Sequence, residues 1–158
     1  MLRSILATIA GLLVAATTVG AIHAINHRLY PPSEAIRAAA EKQDFQALRP
    51  AVEEWLRTVP QMALILVPVG WVAGAFWGAL VATLIARIRW PIPALVIAGF
   101  LLLATAMNLA MLPHPAWMAI AGRAGIPAAA VTAWWLVPKR PAPTGPQPYD
   151  MRRKNMAC

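Results

Sequence analysis

Three histidines, His23, His27 and His114, are the residues of this 158-residue chain best placed to do chemistry. His23 and His27 stand four apart in "IHAINHRLYPP" (22–32), where a long apolar run stops. Residues at i and i+4 share one face of a helix. His114 lies in "NLAMLPHPAW" (108–117), at a second boundary between apolar runs. Met62, Met107, Met111 and Met118 fall near the same boundaries, as does Asn108. Imidazoles with thioethers nearby suit copper, and imidazoles alone suit zinc. Two other readings stand beside a metal site: interfacial histidines bonded to backbone or to each other, and polar groups lining a small-molecule cavity. No cysteine pair or carboxylate accompanies the set, and methionine is common packing material in apolar helices.

Arg123 is a second oddity. If a helix starts near Ala116, this guanidinium sits about 10 Å along it, inside an apolar stretch. A charge there costs a few kcal/mol, on the order of 3. It either snorkels to outer phosphates or meets Asn108, exposed carbonyls or a bound anion. Gly122, Gly125 and Pro127 would loosen that helix and free carbonyls to meet it. Catalytic patterns are missing from the chain. It has no Gly-rich phosphate loop and no paired carboxylates within the apolar stretches, and its serines are only Ser4 and Ser33. The expectation is a protein that is not an enzyme.

The elements that must position these residues are set by composition. The chain is 59% hydrophobic and 13% charged, against about 25% charged for an ordinary soluble domain. A run of roughly 20 apolar residues crosses a hydrocarbon core of about 30 Å. Four stretches qualify, 4–26, 61–86, 93–112 and 116–137, and none holds an acidic residue. The predicted fold is therefore all-α: an integral membrane four-helix bundle over 1–137, followed by a Pro-rich basic tail over 138–158. The first stretch also has the look of a signal peptide. Its run from Ile5 to Ile22 nevertheless exceeds the usual h-region of about 7–15 residues, so an uncleaved helix is expected.

Charge gives the orientation. The connection 27–60 balances Arg28, Arg37, Lys42, Arg49 and Arg57 against Glu34, Glu41, Asp44, Glu53 and Glu54. The formal surplus of +8 comes from Arg3, Arg87, Arg89, Lys139, Arg140, Arg152, Arg153 and Lys154, with Arg123 offset by Asp150. Threaded through four spans, the eight fall on one side, the cytoplasmic one by the positive-inside rule. Both termini are then cytoplasmic and all three histidines face outward. Orientation accounts for the charge, so no nucleic-acid partner is called for. Cys158 is the only cysteine, which excludes an intramolecular disulfide.

Helices in lipid associate where small residues let backbones approach. Gly70, Gly74 and Gly78 form such a seam, continued by Ala82 and Ala86. Span one offers two ridges, Ala7–Gly11–Ala15 and Ala16–Gly20–Ala24. The seam packs either on span one or on a second copy. Trp71 and Trp77, inside span two, read as lipid-facing or packing residues. In the outer connection Ser33 can cap a helix beginning at Glu34, and Pro50 suits the first turn of a second helix. There Val52, Trp55, Leu56 and Val59 make an apolar stripe for the membrane interface.

"HRLYPP" (27–32) and "NLAMLPHPAW" (108–117) together resemble a family of small four-helix bacterial inner-membrane proteins with no function attached to it. Its motifs are H-x-x-Y-P-P and N-x-x-x-x-P-H-P-x-W, and the resemblance runs over most of residues 1–137. The matching positions are His27, Tyr30, Pro31, Pro32, Asn108, Pro113, His114, Pro115 and Trp117. Three features depart from that pattern: His23, where an acidic residue is more usual, a longer 33–58 loop, and Arg123. The resemblance implies the bacterial inner membrane and no chemistry. The leading expectation is a membrane protein acting by helix–helix association, as an accessory subunit or a homo-oligomer. The alternative is binding or transport of a metal ion or small solute at the outer histidines.

Overall fold

The computed structural model describes residues 2–86 and 91–138, and these form α-helices with no strand among them. In order they are α1 (Leu2–Leu29), α2 (Glu34–Glu41), α3 (Phe45–Thr58), α4 (Gln61–Ala86), α5 (Ile92–Met111) and α6 (Ala116–Leu136). Three of them, α1, α4 and α5, are long and apolar enough to cross a membrane. The fourth expected span, α6, forms as a 21-residue helix but falls outside that set. Arg123 and its tryptophans lower its mean hydropathy. The "RIR" turn with Trp90, the tail from Lys139 and Cys158 lie outside the described residues.

At 1.5 Å per residue, α1 is about 42 Å long and α4 about 39 Å. They run antiparallel and make the most extensive helix pair. Arg3 Nε donates to the Ile85 carbonyl at 2.8 Å, meeting one of the unpaired carbonyls at the end of α4. The core is built largely of alanine, with Trp71, Ile97, Leu101 and Ile126 as its larger members. Trp71 is only 5% exposed, so it is a core residue rather than a lipid-facing one. Trp77 stays half exposed.

The glycine seam faces inward. A Cβ placed on Gly78 would lie 2.7 Å from the Gly11 carbonyl oxygen, and one on Gly11 2.6 Å from that of Gly78. Backbone thus rests on backbone, which only glycine permits. Gly74 meets Val19 and Ala15, and Gly70 meets Ile22 and His23. All three seam glycines are therefore occupied by α1 of the same chain. Of the two ridges on α1, Ala7–Gly11–Ala15 is buried, while Ala16, Gly20 and Ala24 remain exposed.

Between α1 and α4 the chain forms a helical hairpin. Tyr30, Pro31 and Pro32 stop α1, and Ser33 Oγ caps α2 by accepting from Ile36 N at 3.4 Å. Asp44 caps α3, its Oδ1 accepting from Gln46 N and Ala47 N at 3.0 Å each. Here the expected boundary is corrected. Pro50 lies inside α3, not in its first turn, because the Asp44 carboxylate captures the first N–H groups earlier in the chain. The turn between the two helices includes Gln43 at φ 53°, a left-handed conformation.

Candidate functional site

Beside the α2–α3 hairpin the ends of α1, α4 and α5 are not filled between them. They leave a cavity of about 310 Å³, roofed by the α2–α3 hairpin. The face of α1 that is Ala7, Gly11 and Ala15 lower down becomes His23, Asn26 and Tyr30 here, and all three line the cavity. Leu64 and Val67 come from α4, Asn108 from α5, Leu112 and His114 from the turn that follows it, and Met118 from the start of α6. The roof is apolar. Ile36 of α2 and Leu48, Val52, Trp55 and Leu56 of α3 point onto it, so the amphipathic stripe covers this end of the bundle. Among the described residues no Lys, Arg, Asp or Glu lines the cavity.

All three histidines border this space, together with Tyr30 and Pro32 of the first motif and Asn108 and Pro113 of the second. They do not form a ligand cluster. Among the described residues no three His, Cys, Asp or Glu side chains gather closely enough to hold a metal ion. The thioethers expected nearby are dispersed as well. Met118 lines the cavity at 1% exposure, but Met62, Met107 and Met111 are at least half exposed and stand elsewhere. The copper or zinc reading of His23, His27 and His114 loses its geometry here. The i, i+4 spacing puts His27 beside His23 along the helix, yet His27 sits on the exposed rim.

The polar chemistry is carried instead by side chains that lack partners. Asn26 is 6% exposed; its Nδ2 donates to the Ala63 carbonyl at 3.0 Å, and its Oδ1 is buried without a partner. That donation fixes which end of the amide is the nitrogen, so Oδ1 is left as the acceptor. Asn108 Oδ1 and His23 Nε2 are also buried and unpartnered. The Val67 backbone approaches the His23 ring, but nothing stands in hydrogen-bonding geometry to Nε2. His114 Nδ1 lies 2.9 Å from the Leu112 carbonyl. A carbonyl only accepts, so Nδ1 carries the proton, and the neutral ring keeps Nε2 as an acceptor. The ring also leans on Trp71, with centroids 6.4 Å apart.

Pro68 lies farther along α4 and borders a different groove. It has no N–H to give the carbonyl four residues back, which belongs to Leu64. Asn26 is the residue sequence reasoning missed. The signal for Asn26 was present: it is an asparagine within an apolar stretch, three residues after His23, on the face carried up from Ala15. Arg123 is exposed on α6 and makes no hydrogen bond or ion pair among the described residues. The pairing with Asn108, one alternative to snorkelling, is not formed among the described residues. The chain matches no protein-family model, no curated protein and no solved structure.

Proposed function

We propose that this is a multi-pass inner-membrane protein of four spanning helices, both termini cytoplasmic, which binds a small solute in its outer-end cavity. The observation that carries the reading is that Asn26, Asn108 and His23, each holding a buried side-chain atom without a hydrogen-bond partner, all line one apolar-walled space. A buried polar atom without a partner costs about 1–3 kcal/mol. An apolar pocket with a few convergent polar groups is the usual form of a small-molecule site. The four-span arrangement is supported by the length of α6 and by the charge asymmetry of the sequence. The resemblance to four-helix inner-membrane proteins fits it, since both motif segments border the cavity.

The test is a mixed panel of neutral, cationic and anionic small molecules, plus copper and zinc. Binding is followed by ligand-observed NMR on the detergent-solubilised protein beside a Val52→Trp variant. Val52 lies on the roof, and the larger ring fills the space from that side. Binding that is lost in Val52→Trp is the expected result. Absence of any binding to the folded wild type, or binding that Val52→Trp leaves unchanged, overturns the reading.

Association with a second copy or a larger membrane complex is the second reading. It is favoured by one observation: Ala16, Gly20 and Ala24 form an exposed small-residue ridge, and a Cβ on Gly20 would meet nothing within 4 Å. Under this reading Gly20→Leu changes the oligomeric mass measured by light scattering in detergent. A monomer in both proteins removes it.

A further inference from the structure

Away from the cavity, Arg123 is left with a charge that nothing in the described chain answers. We infer that its guanidinium holds the phosphate of one phospholipid, in the leaflet at the hairpin end of the bundle. This rests on the four-span reading above and is independent of the cavity. The first ground is what the helices lack. Arg123 is exposed on α6 and makes no hydrogen bond or ion pair among the described residues. None of the four long helices contains an Asp or Glu, so a second copy of the chain brings no carboxylate to that depth either. Pro127 does free a carbonyl, but it is that of Arg123 itself, four residues back. Helix carbonyls point toward the C-terminal end, away from a side chain that slants toward the N-terminal one. A cation inside the membrane needs a partner, and this one must come from outside the chain.

Depth is the second ground. Arg123 lies seven residues from the start of α6 at Ala116, about 10 Å along the axis, and about 20 Å from Leu136. The slant of helical side chains aims its long stem at the nearer face, where the lipid phosphates stand. Ala119 and Ala116, one and two turns back on that side, are too small to block it. Trp117, 39% exposed, suits the headgroup level just above. The third ground is chemical fit. One guanidinium balances one phosphodiester, and its planar fork takes two phosphate oxygens. The neighbouring Ala116, Ala119, Ile120, Ala124 and Pro127 are apolar, so nothing on this face reads the rest of the headgroup. The phosphate is what is selected, and phosphatidylglycerol and phosphatidylethanolamine should serve equally.

The full chain is released from nanodiscs holding both phospholipids and the phosphate-free diglucosyl diacylglycerol, and the lipids it retains are read by native mass spectrometry. Wild type should retain phospholipid at least about 10-fold more than Arg123→Leu, the effect of one charge-assisted hydrogen bond. Arg123→Lys should fall between them, and glycolipid should be retained weakly on all three. Adding Ile120→Arg to Arg123→Leu moves the cation one turn toward the headgroups and should restore retention. Equal phospholipid on wild type and Arg123→Leu, or glycolipid held as well as phospholipid, overturns the inference. Displacement of the lipid by inorganic phosphate, or an acidic partner helix retained in its place, overturns it as well. Ala128→Cys in a Cys158→Ser background tests the parent reading separately, since Ala128 is exposed about midway along α6. Protection from a membrane-impermeant maleimide is expected. Labelling would take α6 out of the bilayer, and the four-span reading would fail together with the inference; protection with equal lipid retention removes the inference alone.

Discussion

The contact between α1 and α4 is two different structures joined end to end. Along its middle, Ala7, Gly11 and Ala15 meet Gly74, Gly78 and Ala82, and backbone rests on backbone. At the end beside the α2–α3 hairpin the same face of α1 presents His23, Asn26 and Tyr30, and a cavity of about 310 Å³ opens. The helices are the same and their direction is the same; only side-chain size and polarity change along one face. Close approach in lipid depends on small residues, so the seam is where the helices are joined. Where the face becomes large and polar, Asn26 still reaches the Ala63 carbonyl of α4 at 3.0 Å, and a cavity opens beside that contact. The seam holds the cavity in register, and Gly70 marks the crossover, since its neighbours are already the His23 ring and Ile22.

The comparison breaks most visibly at the seam. Gly78→Leu drives a side chain into Gly11 and Ala15, where even a Cβ would lie 2.7 Å from both. Overpacking costs about 1–3 kcal/mol, and more where backbone must move. The expected outcome is a fall in thermal midpoint in detergent, with loss of a single monodisperse peak. Gly99→Leu serves as the control, because a Cβ there meets nothing within 4 Å. A Gly78→Leu protein as stable as Gly99→Leu would mean that the seam does not hold the helices together.

The outer end should respond differently. Asn26→Leu gives up a buried hydrogen bond to Ala63, a net loss of about 1 kcal/mol, but it also removes the unpartnered Oδ1. The two effects oppose, so its thermal midpoint should drop by less than that of Gly78→Leu while solute binding weakens. A variant that unfolds as readily as Gly78→Leu would make Asn26 a structural strut rather than a binding group.

Much of this arrangement was legible in the sequence, for reasons that differ by element. The four long helices follow from apolar length alone, and the Ser33 cap from its position after "YPP". The seam was legible as a repeat but not as to its partner, because spacing shows which residues share a face and not what that face meets. The polar end was misjudged for the same reason. His23 and His27 stand out as an i, i+4 pair, but the face that turns inward runs His23, Asn26, Tyr30, and His27 is left on the rim. Asn26 draws no notice as a residue type; burial gives it meaning. The start of α3 depended on a local competition, in which two N–H groups accepted by Asp44 at 3.0 Å outweighed the preference of Pro50 for a first turn.

The smallest expected effect lies in the roof, which differs from both ends of the α1–α4 contact. The α2 and α3 backbones approach each other more closely than they approach the long helices, so the hairpin covers the cavity through side chains alone. It should open as a unit of its own, with less free energy than the bundle. Asp44→Ala removes both cap bonds of α3 and should cost about 1 kcal/mol. Ser33→Ala should cost less, since its single bond to Ile36 N is long at 3.4 Å. Hydrogen exchange separates the regions. Faster exchange in Asp44→Ala is expected over residues 45–58, with residues 61–86 unchanged. Equal acceleration in both segments would show that roof and seam unfold together, and the cavity would then have no independently moving cover.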